Sequence, residues 1–398
     1  MSQPRLAFPL SEYAERLRRV RQAMAVRSLR SLFVTEPANI YYLTGYDAWS
    51  FYMPQGLYLP AQGDPLLFLR EMDAFGASRI CCLPSEQILG YPEHLVQHPS
   101  DHPMEWVAQH LLERGIRDDR SGPVGVESES PFFSVRSYQV LTRTLPGVPF
   151  VDSGGLVNWV RSVKSSAEVD VMRLAGRVAE KVMAVALDAV RIGRRQCDAA
   201  AEIVAAQASG TAEIAGDYPA IVPMMPTGEG SGTPHLTWGG ERFAPGQVTV
   251  VEVAGVHQRY HAPIARTLVL GLHEPRLATT AGIVRDGMEA ALGAVRPGAT
   301  CEDVERAWRK VAATAGVEKP SRIGYSIGIG YPPDWGEGTM SLRPGDTTPL
   351  QERMAFHLIL GLWGKGPGFE LSQAFVVGPN GADPLFTFPR SLHVKEGT

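Results

Sequence analysis

Residues 250–271 read VVEVAGVHQRYHAPIARTLVLG, and the meaning of the chain turns on two of them. The segment VTVVEVAG (248–255) is a strongly apolar strand interrupted by one charge, Glu252. A carboxylate there is either paired with a cation in the core or exposed to a pocket. An unpaired buried Glu is costly and its pKa rises, and such perturbed carboxylates concentrate at functional sites. Eleven residues further on stands Pro263, whose side chain has no donor atom and cannot hold a metal. Seventeen residues before Glu252, the stretch TPHLTW (233–238) offers His235, a second candidate for moving protons.

On either side of this segment the chain repeats itself. AGRVAEKVMAVALDAVRIG (175–193) resembles AGIVRDGMEAALGAVRPG (281–298). Each ends in Ala-Val-Arg-x-Gly, each has an Asp five residues after that Gly (Asp198, Asp303), and each is followed by a second helical stretch. This predicts a duplicated helix-and-strand unit. NWVRSVKSSAEVDVM (158–172) reads as the hinge into that region, with a helix starting at Ser166 and running to about Ile192.

The first 155 or so residues alternate strands with helices and predict an α/β domain. Tyr13, Leu17, Val20 and Met24 recur at helical spacing behind Ser11 as N-cap, SLFVT (31–35) reads as a strand, and Asn39 opens a short helix ending at Gly45. LYLP and PLLFLR form a hairpin across AQGD, PMEWVAQHLLERG (103–115) is a helix stopped by Gly115, and VGVE (124–127) is a strand. The expected boundary gives domains 1–160 and 161–398.

Composition narrows the function. At 398 residues, with 44% hydrophobic and 20% charged content, the chain is long enough for two ordinary globular domains. A net charge of −4 argues against a nucleic-acid footprint. No apolar run approaches the roughly 20 residues of a membrane span, and the N-terminus lacks a signal core. Cys81, Cys82, Cys197 and Cys301 show no CxxC spacing, so the expected compartment is a reducing cytoplasm.

The centre of the chain resembles the pita-bread metallopeptidase and creatinase superfamily, where an acidic residue, a glycine, a tyrosine and a second acidic residue precede an Arg-Thr pair. The resemblance implies an α/β N-terminal domain followed by an α+β pita-bread domain with an internal pseudo-twofold repeat. It also implies five metal-ligand positions, which fall here on Glu252, Pro263, Tyr325, Ile359 and Gln373. At most one of these is a good ligand, so two-metal catalysis is nearly excluded and no metal or cofactor is expected. Arg266 precedes Thr267 as in that superfamily, where it is more often structural.

Longer tracts, among them YPAIVPMMPTG, PHLTW and GYSIGIGYPPDWGE, resemble the ectoine hydrolase branch over residues 30 to 380. That branch opens the cyclic amidine of ectoine without metal to give an N-acetylated diaminobutyrate. The resemblance implies Glu252 as nucleophile or base and His235 as acid. Candidate substrate contacts are Trp49, Tyr52, Trp238, Tyr325, Asp334, Trp335, His357, Glu370 and Gln373. It further implies a homodimer in which the N-terminal domain of one subunit, with Trp49 to Tyr52, closes the site of the other. The chain departs from the branch at Leu360, at GKGPG (364–368) and at Gln373. Three alternatives stay open: another small C–N substrate handled by a lyase or a creatinase-type amidinohydrolase, a non-catalytic pseudo-peptidase that binds a small ligand, and a true metallo-aminopeptidase.

Overall fold

The computed structural model describes residues 5–396, which fall into two compact units, one ending at Arg161 and one beginning at Ser162. The first unit opens with α1 (Leu10–Val26). Ser11 does not cap it: the helix starts at Leu10, and Pro9 occupies the cap position without a side-chain hydrogen bond. Its buried stripe is Tyr13, Arg16, Val20 and Met24. Arg16 thus takes the inward place expected of Leu17, because its guanidinium lies over the rings of Phe8 at 4.3 Å and Tyr42 at 4.6 Å and donates to the Tyr42 carbonyl.

Six strands follow: β1 (Ser31–Val34), β2 (Gly56–Pro60), β3 (Leu66–Arg70), β4 (Ile88–Tyr91), β5 (Val124–Val126) and β6 (Phe150–Asp152). They form one sheet in the order β4-β3-β2-β1-β5-β6, with β2 and β3 as the antiparallel hairpin and β5 parallel to β1. The helices between them are α2 (Pro37–Thr44), α3 (Glu71–Ala77), α4 (Pro103–Glu113) and α5 (Val135–Thr144), and α6 (Leu156–Ser162) follows β6. Phe33, Phe68, Val107, Leu111, Val126 and Leu141 make their shared core.

The second unit is built from the repeat. Its first copy is α7 (Ser166–Ala189), α8 (Gln196–Ser209), β7 (Val248–His257) and β8 (Tyr260–Leu270). Its second copy is α9 (Pro275–Ala294), α10 (Cys301–Thr314), β9 (Gly324–Tyr331) and β10 (Asp334–Ser341). Each copy is two helices and an antiparallel hairpin. The duplicated Ala-Val-Arg-x-Gly marks the same turn twice: Gly193 and Gly298 both have left-handed φ, at 78° and 85°, a conformation that favours glycine. Asp198 and Asp303 then sit in the first turn of the next helix, Asp303 in a capping box with Thr300. The long helix α7 starts at Ser166 as expected, behind Ser165 in a capping box with Glu168, and ends at Ala189, short of the expected Ile192.

Strands β11 (Ala355–Leu362), β12 (Phe369–Gly378), β13 (Gly381–Pro384) and β14 (His393–Lys395) complete an eight-stranded sheet, ordered β13-β12-β11-β9-β8-β14 with β7 on β8 and β10 on β9. On one side, Val284, Met288 and Trp308 pack against Phe356, Leu358, Phe375 and Val377. All four cysteines are free. Among the described residues no helix is long and apolar enough to cross a membrane.

Candidate active site

Strand alternation decides which side chains meet on the other face of this sheet. On β11 the odd positions His357, Ile359 and Gly361 share a face, and they pair with Tyr325 of β9 and with Ser372 and Glu370 of β12, respectively. Glu252 pairs with Ala265 across the β7–β8 hairpin. The Ala265 N–H donates to Ser372 Oγ at 2.7 Å, joining the Glu252 row to the Glu370 row.

Over this face lies a cavity of about 760 Å³ within the second unit. Glu252, Glu370, Tyr325, Asp334 and His235 line it, and Ile359, Met224 and Trp363 supply apolar wall. Glu252 is held by reciprocal backbone bonds with Met224, 3.0 Å each way, which strap the Pro/Gly-rich 218–238 segment onto β7. His235 hangs from that segment in a left-handed conformation, φ 66°, uncommon for a side-chain-bearing residue and a frequent mark of a constrained functional loop.

A second loop fixes the first. The Gly364 N–H donates to the Gly232 carbonyl at 3.0 Å and the Gly368 N–H to the Ser231 carbonyl at 3.2 Å. A Cβ on Gly232 would fall 2.4 Å from the Gly366 carbonyl oxygen, and one on Gly368 would fall 2.3 Å from that of Ser231. The two loops therefore touch backbone to backbone. The GKGPG stretch is the part that grips the loop carrying His235.

The electrostatics centre on two carboxyls. Glu252 is pushed well above the ordinary carboxylate range by burial and then by the charges of Glu370 and Asp334. Burial pushes Glu370 up to about 8, against the pull of Lys319. Neither carboxylate has an ion-pair partner among the described residues, and Glu370 Oε1 has no hydrogen-bond partner. Two like charges in one apolar pocket do not both ionise readily, so at neutral pH the pair holds at least one proton until a cation arrives.

Behind the cavity wall, Trp335 Nε1–H donates to Tyr325 Oη at 2.9 Å, and His357 Nδ1 lies 3.1 Å from the same oxygen. Burial drives His357 down to about 3, so it is neutral. Burial and the nearby Glu252 push Tyr325 well above its usual value, so its phenol keeps its proton.

The structure thus brings Glu252, His235, Tyr325, Asp334 and Glu370 together. The other expected contacts do not line the cavity. Trp335 and His357 are fully buried behind Tyr325. Gln373 has the opposite strand parity from Glu370, and its amide is spent on the carbonyls of Ala374 and Phe386, 3.1 Å each. Trp238 is half-buried on its loop. Trp49 and Tyr52 are exposed on the first unit, where the Trp49 ring packs at a tilt of 53° against Phe51 and Tyr52 borders a separate cavity with His98, His102 and Arg136. Arg266 is structural: it is buried and donates to the carbonyls of Ala265, Ser372, Phe388 and Pro389. Sequence reasoning missed Lys319, Ser321, Arg322 and Trp363 in the lining. The usable signal was two cations in EKPSRIGY, just ahead of the strand that carries Tyr325.

A paired-metal centre does not fit these residues. Tyr325 and Ile359 face the cavity where ligands would stand, Gln373 faces away, and Pro263 offers no donor. Among the described residues no three His, Cys, Asp or Glu side chains converge in a way that could hold an ion.

Comparison with known proteins identifies the family to which the chain is similar. Residues 170–379 match the model of metallopeptidase family M24, and residues 16–163 match the creatinase/prolidase N-terminal domain. The chain is 40% identical to the ectoine hydrolase of Halomonas elongata over 99% of its own length and 100% of that protein. It is 42% identical to an uncharacterized hydrolase/peptidase of Sinorhizobium fredii, over 98% and 99%. Among solved structures, dipeptidase PepE from Mycobacterium ulcerans superposes with a TM-score of 0.77 at 25% identity, covering 98% of this chain and 99% of that one. A prolidase from Thermococcus sibiricus gives 0.82 at 17% identity, over 96% and 99%, a likeness of fold.

Proposed function

We propose that this chain, which belongs to metallopeptidase family M24 and carries a creatinase/prolidase N-terminal domain, hydrolyses a small cyclic amidine of the ectoine kind with side chains in place of metal ions. The observation that carries this reading is the pair of buried carboxyls without ion-pair partners among the described residues, Glu252 and Glu370, in a cavity where Tyr325 and Ile359 stand at ligand positions and offer no good metal donor. The Halomonas relative, named an ectoine hydrolase, supports it.

The chemistry follows from charge. A protonated amidine is planar and electrophilic at its central carbon, and its N–H groups suit carboxylate partners. Its arrival stabilises the ionised forms of Glu252 and Glu370. Glu252 then takes a proton from a water that attacks the amidine carbon, or attacks that carbon itself, in which case a water must displace Glu252 from it once the C–N bond has broken. The tetrahedral carbon collapses by breaking one C–N bond, whose electron pair stays on the leaving nitrogen. That nitrogen takes a proton from His235. The products are an acetamide and a free amine on one open chain, an N-acetylated diaminobutyrate. The Tyr325 phenol, still protonated, offers a hydrogen bond to the oxygen that becomes the acetamide carbonyl.

The same reading assigns the exposed Trp49 and Tyr52 to the site of a second copy in a homodimer, and places the enzyme in the cytoplasm. One observation favours a second reading, a larger C–N metabolite on the same machinery. The cavity lies well inside the roughly 300–1,000 Å³ of ordinary ligand pockets, more room than one six-membered ring fills. The test is turnover of ectoine by dialysed, chelator-treated protein. Activity equal to that of untreated protein is the expected result. Activity that vanishes and returns with a divalent ion rules out the side-chain mechanism, and consumption of a different C–N compound with ectoine inert selects the second reading.

A further inference from the structure

The mechanism above uses the acidic residues of the cavity and leaves its basic ones without a role. These lie on the run Lys319-Pro-Ser-Arg322, which leads into β9 and Tyr325. Lys319 is half-buried and Arg322 stands at the rim. Lys319 Nζ donates to Ser321 Oγ at 2.8 Å. Arg322 is held in place twice: an N–H donates to Ser341 Oγ at 3.1 Å, and its guanidinium lies 4.4 Å from the centre of the Tyr325 ring. Neither cation has an ion-pair partner among the described residues. Burial also draws Lys319 below its usual value, opposed by the charge of Glu370.

A cavity lined both by carboxyls and by cations without an ion-pair partner among the described residues disfavours a simple ion of either sign. A cation seated at Glu252 and Glu370 would meet Lys319 and Arg322, and a bare anion would meet the carboxyls. A ligand carrying both charges a few bonds apart satisfies both sets of groups. We infer that Lys319, Ser321 and Arg322 form a carboxylate-binding arm, so that the cavity selects a zwitterion whose cationic C–N ring lies at Glu252 and Glu370 and whose carboxylate lies on Arg322. This rests on the cationic-ring reading and adds the second half of the substrate. The fixed guanidinium supplies a planar pair of donors suited to a carboxylate, and lysine supplies a point charge beside it.

Calorimetry on the full chain tests it with two probes: ectoine, and the same methyltetrahydropyrimidine ring without the carboxylate. The wild type binds ectoine at least about tenfold more tightly than the bare ring, on the scale of one charge-assisted contact. Arg322→Met removes that preference and leaves affinity for the bare ring within about twofold. Arg322→Lys keeps the charge without the fork and restores part of the preference, which separates lost recognition from a damaged fold. Equal binding of both probes by the wild type overturns the arm and leaves the cationic-ring reading standing. Binding of neither probe overturns both.

Discussion

Two sets of buried carboxylates in this chain are treated in opposite ways. Glu337 of β10 is buried against Lys164, 2.7 Å away, and that ammonium also donates to the Ser162 carbonyl. Glu168 completes the α7 capping box and accepts from Tyr260 Oη at 2.8 Å. In the first unit Glu127 accepts from the backbone N–H groups of Thr35 and Glu36 and from Asn39. Glu252 and Glu370 are as deeply placed, yet they face a cavity and each other. Where a carboxylate serves the fold, its charge is answered within the protein. Where it faces the cavity, the answer is left to a ligand, and the cost of burial becomes a means of attracting one.

The comparison breaks most sharply at Glu252. Glu252→Gln should lower turnover by about 10³- to 10⁴-fold, roughly 4–5 kcal/mol of transition-state stabilisation. The same variant should unfold in urea at the same or slightly higher denaturant, because it removes an uncompensated acid. A large loss of stability would place Glu252 with the structural carboxylates. The converse is Lys164→Met, which takes the buried ammonium away from Glu337 and should cost about 3–5 kcal/mol by urea unfolding, with kcat of the folded fraction nearly unchanged.

The pH dependence sharpens the contrast at intermediate size. Glu370 is neutral below about 8, and a cationic substrate binds its ionised form. Between pH 6 and 7.5, kcat/KM should therefore rise by up to roughly tenfold per unit, then level off above about 8. Glu370→Gln should flatten the rise. Stability of the ligand-free protein runs the other way. The folded pKa lies above the unfolded one, so this group's contribution is full below the ordinary 4.5 and is lost as pH climbs through about 8. The smallest effect belongs to Tyr325→Phe, which leaves the Trp335 N–H without its acceptor. It should cost about 1–2 kcal/mol in stability and about tenfold in kcat.

Much of this was legible because it is local. The repeat showed in Ala-Val-Arg-x-Gly, since a left-handed turn before a helix start constrains the residues that form it. Glu252 stood out as the lone charge in an apolar strand. Gln373 and Glu370 were harder: they sit three apart on β12, so strand alternation sends only one to the cavity, and which one depends on pairing with β11. His357 and Trp335 were placed in the site by motif, yet they lie behind Tyr325, a depth that spacing does not encode. Lys319 and Arg322 lie in irregular chain, where no period marks the side that faces inward. Ser11 and Leu17 failed for a simpler reason: a proline at the helix entrance and an arginine able to stack on aromatic rings outweighed ordinary preference.

The clasp between residues 231–232 and 364–368 sets how this enzyme can diverge. Its contacts are carbonyls and amides, with no side chain whose exchange could retune them in small steps. Residues such as Trp363 are free to vary the shape of the chamber, while any methyl group added at Gly232 or Gly368 collides with main chain and displaces the histidine loop as a whole. New specificities on this scaffold should therefore arise through the walls, with the hinge-like junction left as glycine.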